Sequence, residues 1–353
     1  MMDMLNKSIP CSLVTGALGS GKTTVIRRLI DQPDMAGTAL IVNEFGAVGL
    51  DHLLLSSAIE TTLLMDNGCL CCSLRGDLID TVLDLFGAVA RGEIPPFHRI
   101  LIETTGLADP IPIVRDLTTA QVLRGKVHLA NVVTCVDGLI GGVDLKSNPV
   151  SVDQVAQADV CLVTKSDVAD PLYIATLCET LASINPMMVI VRVRPDDDLD
   201  SDVFFGQAGT EGARHGAFRC TPVSSIPNKA HSGAGLAGGD AGENKKEGGT
   251  HDGVDSWSTV VEQALPWSRI RDWLDLVYSL NAASMLRMKG IFWIVESDRP
   301  LLVQAVGPVV TPTRFLEDWP EGRRESRMVL ITKGLNTDVL SKSFQDIVLK
   351  GNG

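Results

Sequence analysis

The sequence lacks a segregated basic patch. Its 353 residues include 31 Lys and Arg against 43 Asp and Glu, and the formal net charge is −12. A surface of this sign repels phosphate backbones and anionic lipid. We therefore expect no nucleic-acid partner and no association with a membrane surface.

Long apolar runs are also missing. Residues 1–8 carry no apolar stretch followed by a cleavage site, and no later stretch of about 18 residues is free of charged side chains. Both absences argue against secretion and against a membrane-spanning helix. We expect a folded cytoplasmic protein, because 45% hydrophobic residues can build a core in each of two domains.

The eight cysteines are not distributed like a secreted disulfide framework. Four stand singly in apolar segments and are interpreted as core residues: Cys11, Cys135, Cys161 and Cys178. Cys220 lies in a polar region. The remaining three fall together and call for a chemical explanation.

Short apolar runs alternate with helical patterns from Pro10 to about Val193. The runs that predict strands are Ser12–Thr15, Thr38–Val42, Thr61–Met65, Ile100–Ile102, Val132–Val136, Val160–Val163 and Met188–Val193. This alternation predicts an α/β fold with a doubly wound, mostly parallel sheet.

The composition changes between Gly206 and Gly253, where glycine and polar residues replace the periodic apolar pattern. Beyond this segment lie all five tryptophans and further predicted elements: a helix around residues 270–277, strands at Ile291–Val295, Leu301–Val306 and Met328–Thr332, and a final helix around residues 340–348. We predict a first domain over residues 1–200, a flexible linker over residues 201–256, and a smaller α+β domain over residues 257–353.

Residues 16–23 match the phosphate-loop pattern G-x-x-x-x-G-K-[ST], directly between a predicted strand and a predicted helix. Backbone N–H groups of such a loop surround phosphate oxygens, and the helix adds the positive end of its dipole. We expect Lys22 to reach the terminal phosphates and the Thr23 hydroxyl to bind Mg²⁺. The nucleotide-binding residues predicted here are Gly16, Gly19, Ser20, Gly21, Lys22, Thr23 and Thr24.

Two further segments follow predicted strands. Glu103 ends one apolar run, where it can hold magnesium directly or through water, and Gly106 would let its N–H approach the terminal phosphate. Residues 164–167 read Thr-Lys-Ser-Asp and resemble the guanine motif [NT]-K-x-D. We expect Thr164, Lys165 and Asp167 to favour GTP over ATP, because adenine offers no matching pair of donors to a buried carboxylate.

Cys69, Cys71 and Cys72 lie within four residues, and we expect them to cap the start of the next helix. There the helix dipole and Arg75 would lower the thiol pKa and favour the thiolates that bind Zn²⁺ or Co²⁺. Three cysteines are one ligand short of a closed zinc site, so another group must complete it. A redox pair or small buried residues are the alternatives.

Glu44 and Asp51 follow the second predicted strand, in the segment that usually acts as a switch in GTPases. Either carboxylate can serve magnesium, water positioning or the second metal, or remain solvated. We assign Glu44 to the transition-metal site, and Asp51 to catalysis together with Lys22, Thr23 and Glu103.

Five motifs occur in order: GALGSGKT, VNEFGAVGLD, GCLCCSLRGDL, ETTGLADP and TKSD. Together they resemble the CobW-like family of P-loop GTPase metallochaperones, relatives of HypB and UreG. Residues 287–291 and 323–329 resemble the CobW-type carboxy-terminal domain. The resemblance implies slow, Mg²⁺-dependent GTP hydrolysis. It also implies that zinc or cobalt binds at the three cysteines and is delivered to a client metalloprotein. A homodimer is compatible with the sequence, which does not define the oligomeric state.

Two other functions remain open on these residues. A P-loop phosphotransferase with redox cysteines predicts phosphate transfer without metal dependence. A nucleotide-binding zinc buffer or sensor predicts metal affinity that is indifferent to nucleotide. Our working hypothesis differs from both: Mg²⁺-GTP orders residues 43–51 and thereby completes the metal site.

Overall fold

The computed structural model describes residues 8–42, 63–64, 70–73, 77–206 and 253–350. The predicted site residues Glu44, Asp51 and Cys69 lie outside these ranges, as do residues 207–252 of the predicted linker. The described residues form two β-sheets with their covering helices.

The first sheet contains eight described strands: β1 (Ile9–Thr15), β2 (Thr38–Val42), β3 (Leu63–Leu64), β4 (Leu70–Ser73), β5 (Arg99–Glu103), β6 (Val127–Asp137), β7 (Val160–Thr164) and β8 (Val189–Arg192). Their order is β3-β4-β2-β5-β1-β6-β7-β8. β3 pairs antiparallel with β4, and the other neighbours pair parallel. The predicted mostly parallel sheet is confirmed.

Helices cover both faces of this sheet. The helices of the first part of the chain are Lys22–Ile30, Leu78–Ala90, Pro110–Thr119, Gly141–Ser147, Pro149–Gln157, Pro171–Ile184 and Asp202–Phe205. Strand side chains alternate between faces, so Leu13 joins the core under helices 78–90 and 110–119, whereas Val14 joins the core under helix 22–30. The doubly wound arrangement is therefore also confirmed.

Three of these helices begin in the same way, with a polar cap followed by proline. The side chains of Asp109, Asn148 and Asp170 accept hydrogen bonds from backbone N–H groups two residues on, at 3.0, 3.1 and 2.9 Å. Proline fits the next position because its missing N–H would have no helical partner there. These caps fix where each helix begins relative to the preceding strand or loop.

The helix Asp202–Phe205 lies inside the predicted linker. Phe204 is fully buried in the core under helix 22–30, and its carbonyl oxygen accepts hydrogen bonds from Ser12 (2.5 Å) and Asn131 (3.1 Å). Residues 202–205, which lie beyond the predicted boundary at residue 200, therefore pack against the first sheet. Because the residues that flank Phe204 and Phe205 are mostly polar, no apolar pattern in the sequence predicts this helix.

The second sheet is antiparallel and contains β9 (Val254–Val261), β10 (Met285–Phe292), β11 (Leu301–Val306), β12 (Val309–Val310), β13 (Arg314–Phe315) and β14 (Ser326–Lys333). Its order is β12-β11-β10-β14-β9, and β13 pairs with β11. Helices Trp267–Asn281 and Thr337–Phe344 pack on it, and a π-helical segment, Gln345–Lys350, follows. Single 3₁₀ turns occur at Pro33–Met35, Gln121–Leu123, Ala282–Ser284 and Pro320–Gly322.

An aromatic cluster forms the centre of this second unit. The ring centroids of Trp257, Trp273 and Phe344 lie 5.1–5.7 Å from one another. Edge-to-face and tilted contacts at such distances stabilise a core beyond area burial alone. The separate aromatic core expected from the tryptophan distribution is therefore present.

The second sheet packs against the helices of the first. Leu286 and Ile331 share a buried cluster with residues of helices 149–157 and 171–184. A buried ion pair joins Arg287 of β10 to Asp159, just before β7. No helix among the described residues combines the length and apolar character needed to cross a bilayer.

Candidate functional site

The phosphate-loop residues connect β1 to the helix Lys22–Ile30, as the sequence predicts. Gly16 has φ +132°, and a Cβ there would lie 2.2 Å from the carbonyl oxygen of Cys135. Gly21 caps the helix with φ +88° and no side-chain hydrogen bond. Both conformations suit glycine, and the first helical N–H groups remain available to an anion.

Lys22 is buried within this loop. Its Nζ donates to the carbonyl oxygens of Gly16 (2.8 Å) and Ala17 (2.9 Å). Burial lowers the pKa of Lys22, while the neighbouring Cys135 and Glu103 raise it. The ammonium group is thus placed inside the loop that is predicted to receive the phosphates.

Thr23 and Glu103 bring two oxygen ligands together. The Thr23 hydroxyl donates to Glu103 Oε1 at 2.5 Å, and Glu103 is 7% exposed at the end of β5. The buried Ser20 hydroxyl nearby has no hydrogen-bond partner among the described residues. Hydroxyl and carboxylate oxygens are the ligands that Mg²⁺ prefers, so these residues fit the expected magnesium. Thr24 is exposed beside Thr23.

Gly106 lies against the phosphate loop. A Cβ at this position would come within 2.5 Å of the Leu18 nitrogen and 2.6 Å of its Cα. The Thr104 hydroxyl, two residues earlier, donates to Thr15 at the end of β1 at 3.0 Å. Residues 103–108, which we call the sensor segment, therefore contact the end of β1 through Thr104 and the phosphate loop through Gly106.

The Thr-Lys-Ser-Asp segment reaches the same loop from β7. The Thr164 hydroxyl donates to the Ser20 carbonyl oxygen at 2.8 Å, which supplies a loop contact despite the absence of an asparagine amide. Lys165, with φ +52°, donates to the Gly19 carbonyl oxygen at 3.0 Å. Asp167 is exposed in the turn that follows. The structure thus brings the two motifs together, although they are separated by 144 residues.

Asp137 contacts Lys165 of this segment, but it was not predicted from the sequence. It ends β6 and is 4% exposed. One carboxylate oxygen accepts from the Leu139 N–H at 2.8 Å and the other from Lys165 Nζ at 2.5 Å. The available signal was an Asp-Gly pair directly after the predicted strand Val132–Val136, since parallel strands end at one sheet edge.

The cysteine cluster is only partly described. Cys71 and Cys72 belong to β4, whose backbone pairs with Leu40 and Ile41 of β2. The expected helix cap is therefore wrong: Asp77 caps the next helix, accepting from the Ile79 N–H at 2.8 Å. Instead, the segment Leu70–Ser73 pairs with β2, whose β-branched and apolar residues favour a strand.

Among the described residues, no group of three or more His, Cys, Asp or Glu side chains is arranged to hold a metal ion. The four single cysteines are buried and free, which confirms their interpretation as core residues. Burial raises the pKa of the Cys135 thiol to about 12, so it stays protonated beside Lys22.

Comparison with known proteins decides the family. Residues 10–192 match the CobW/HypB/UreG nucleotide-binding domain. The chain belongs to this family. Residues 254–348 match the cobalamin synthesis protein cobW C-terminal domain, so this CobW-type protein carries both domains of the expected resemblance.

Two relatives of the CobW-type protein match it along most of their length. It is 30% identical over 338 residues to the zinc chaperone YjiA of Escherichia coli, covering 95% of this chain and 98% of the relative. It is 27% identical over 355 residues to the zinc chaperone CobW of a Sinorhizobium species, covering 92% of each.

The solved structure of Zn(II)-bound YjiA GTPase from E. coli matches with a TM-score of 0.69 and 25% identity, over 97% of this chain and 99% of that one. A Zn(II)-bound triple mutant of YjiA GTPase, in which a glutamate and two cysteines are replaced by alanine, matches with a TM-score of 0.71 and 25% identity over the same shares of the two chains. The two-domain architecture is therefore shared along nearly the whole chain.

Proposed function

We propose that this CobW-type protein is a GTP-hydrolysing metallochaperone that carries zinc or cobalt to a client metalloprotein. One observation carries the nucleotide half of the proposal: Lys22, Thr23–Glu103 and Thr164–Lys165 converge on one phosphate loop. The GTPase and zinc-chaperone names of its relatives support the same function.

Guanine selectivity is assigned to the segment after β7. Lys165 donates to the Gly19 carbonyl oxygen and to Asp137, and we assign its aliphatic stem to the face of the guanine base. Asp167 follows in an exposed turn, from which its carboxylate can accept from the N1–H and the exocyclic amine of guanine. Adenine offers no matching pair of donors to that carboxylate, so GTP is preferred over ATP.

Hydrolysis is assigned to Lys22, Thr23, Glu103 and, within the segment after β2, Asp51. Lys22 neutralises charge on the terminal phosphates, and Thr23 with Glu103 would hold the magnesium. When bound, Mg²⁺ supplies electrostatic stabilisation of the transferred phosphoryl group. Asp51 is our candidate for positioning water. With no arginine finger assigned, we expect unassisted turnover well below one per second.

The cargo metal is assigned to Cys69, Cys71 and Cys72, with Glu44 as a further ligand. β4 is separated from β5, which carries Glu103, by β2 alone. The segment after β2, with Glu44 and Asp51, follows the strand that pairs with both. A change at Glu103 on nucleotide binding can therefore reach β4, which carries Cys71 and Cys72, through the single intervening strand β2.

Two measurements test the halves of this proposal separately. Lys22→Ala should lose GTP hydrolysis, because the phosphates lose their buried counter-charge. The combined Cys71→Ser and Cys72→Ser variant should lose zinc affinity in the presence of Mg²⁺ and a non-hydrolysable GTP analogue. Cys220→Ser, which alters a thiol outside the cluster, is the matched control.

The design must separate cluster zinc from other zinc, since a relative remains Zn(II)-bound with two cysteines replaced. Competition against a chelator of known affinity, with stoichiometry, resolves the tight site. Normal hydrolysis by Lys22→Ala would remove the phosphate-loop role. Unchanged tight binding in the double cysteine variant would remove the cluster as the metal site.

A further inference from the structure

Gln154 connects the sensor segment to the helix Pro149–Gln157. The side chain is 1% exposed, and its Nε2 donates to the Ala108 carbonyl oxygen at 3.0 Å and lies 3.5 Å from that of Gly106. The backbone carbonyl oxygen of Gln154 in turn accepts from the Thr134 hydroxyl of β6 at 2.9 Å. One buried residue thus holds the sensor backbone, its own helix and a central strand.

This contact requires a side chain that donates hydrogen bonds. The carbonyl oxygens of Gly106 and Ala108 only accept, and a glutamine nitrogen supplies two N–H donors to them. Burial makes an unmet carbonyl costly, so the contact fixes where this stretch of backbone lies. Because Gly106 is packed on Leu18, any shift of the stretch is felt at the phosphate loop.

The helix that carries Gln154 is fastened to the second domain. Asp153 pairs with Lys333 of β14 at 2.9 Å. Val152, on the same helix, shares a buried cluster with Leu286 and Ile331 of the second sheet. One link between the sensor segment and the second sheet therefore runs through the helix Pro149–Gln157.

A second contact reaches the sensor from its other end. Asp109 caps the helix Pro110–Thr119 directly after the sensor segment. Ile111, in the first turn of that helix, packs so closely on Gly307 that a Cβ at Gly307 would lie 2.6 Å from its Cδ1. The second domain therefore touches the helices on both sides of the sensor.

We propose that Gln154 is a positioning residue for the phosphate sensor, and that the second domain sets the GTP-over-GDP preference through the helix Pro149–Gln157. The proposal rests on the proposed GTP binding at the phosphate loop. Binding linkage is reciprocal, so a second domain that biases the sensor must itself respond to the terminal phosphate. A bound client can thereby alter nucleotide preference without touching the nucleotide.

The first test compares Gln154→Glu with Gln157→Glu in the full-length chain. Both glutamines are 1% exposed on the same helix, but no hydrogen bond to the sensor is made by Gln157 in the described structure. We expect Gln154→Glu to weaken binding of the β,γ-imido GTP analogue by about tenfold, because its carboxylate faces carbonyl oxygens. The GDP affinity of Gln154→Glu should stay within about twofold of wild type, and so should the analogue affinity of Gln157→Glu.

Gln154→Met provides the same loss of donors without added charge, should the glutamate variant fail to fold. The analogue-to-GDP affinity ratio is the deciding readout, since a merely structural role would weaken both nucleotides together. An unchanged ratio in Gln154→Glu and Gln154→Met overturns the positioning role. Failure of wild type to bind either nucleotide would instead overturn the proposed function.

The second test addresses the domain link by a double-mutant cycle. Lys333→Ala should lower the analogue-to-GDP ratio by about threefold, and its effect should shrink when Gln154→Met is already present. Lys350→Ala is the matched control, because its pair with Asp346 at 3.1 Å lies within the second domain. Strict additivity of Lys333→Ala and Gln154→Met overturns the link to the second domain.

Discussion

At the end of β6, Asp137 pairs with Lys165, the lysine that we assign to the guanine base. Its carboxylate holds Lys165 at 2.5 Å while also accepting from the Leu139 N–H. Asp137→Asn keeps the second bond and removes the charge. We expect GTP and GDP affinities to fall alike, by about threefold to tenfold, because the two nucleotides share the base and Lys165 is partly exposed.

Competition with a fluorescent guanine nucleotide measures this change. Asp144→Asn is the control, since it alters charge nearby without pairing with Lys165 in the described contacts. Equal losses in the two variants would show that local charge, rather than the Asp137–Lys165 pair, sets affinity. A loss confined to GTP would contradict a role at the base.

Thiol reactivity provides a second test at the residue scale. Burial raises the pKa of Cys11, Cys135 and Cys161, so these thiols are protonated at pH 8 as well as inaccessible. We expect iodoacetamide to leave four cysteines unmodified in the folded protein: Cys11, Cys135, Cys161 and Cys178. Peptide mass spectrometry should find the label on Cys69, Cys71, Cys72 and Cys220.

Zinc with Mg²⁺ and a GTP analogue should then protect the three clustered cysteines and leave Cys220 reactive. Rapid labelling of Cys135 in the folded state would contradict its burial beside Lys22. Equal protection of Cys220 would show that zinc acts nonspecifically on thiols.

At the scale of elements, strands were predictable where uncharged and mostly apolar residues form them. Thr38–Val42 and Leu301–Val306 have the predicted bounds. β10 spans Met285–Phe292 rather than the predicted Ile291–Val295, because Arg287 and Lys289 interrupt its apolar pattern. Both are directed to Asp159, which makes charged residues compatible with a buried strand.

The residues of the candidate site also differ in how far the sequence predicts them. Local patterns predicted the phosphate loop, Glu103, Gly106 and the Thr-Lys-Ser-Asp segment at the correct sheet edge. For Asp137 the sequence offers only its position after a predicted strand, and for Gln154 it offers no local signal. Each acquires its role from a partner distant in sequence: Lys165 is 28 residues from Asp137, and Ala108 is 46 residues from Gln154. Single-sequence patterns carry no information on such pairings.

The sensor segment supplies the prediction at the element scale. Gly106→Ala places a Cβ 2.5 Å from the Leu18 nitrogen, so the segment must move away from the phosphate loop. We expect kcat for GTP hydrolysis to fall by at least about tenfold, with GDP affinity nearly unchanged. Steady-state turnover and GDP titration measure the two quantities.

Gly87→Ala is the control for this substitution. Its Cβ would meet only the flexible end of Arg91 within the helix Leu78–Ala90, where alanine favours helix formation. Wild-type turnover in Gly106→Ala would contradict the close approach of the sensor to the loop.

At the scale of the whole molecule, a buried ion pair fastens the second sheet to the first domain. The side chains of Arg287 and Asp159 are 5% and 3% exposed, and Lys289 lies 3.8 Å from the same carboxylate. Arg287→Met leaves Asp159 buried with the more distant cation. We expect the free energy of unfolding to fall by about 2–4 kcal/mol in equilibrium denaturation.

Arg324→Met is the comparison, because that arginine forms an exposed pair with Asp298 at 3.4 Å. Its effect should not exceed about 0.5 kcal/mol. Similar losses in the two variants would contradict the structural importance of the buried pair between the domains.

We propose that the nucleotide cycle is coupled to a metal held by Cys69, Cys71 and Cys72. The most direct measurement is the zinc dissociation constant of the full chain with Mg²⁺ and a GTP analogue, with Mg²⁺ and GDP, and without nucleotide. We expect zinc to bind at least about tenfold more tightly in the GTP-analogue state, a typical size for coupling between two sites. Equal dissociation constants in the three states would contradict it.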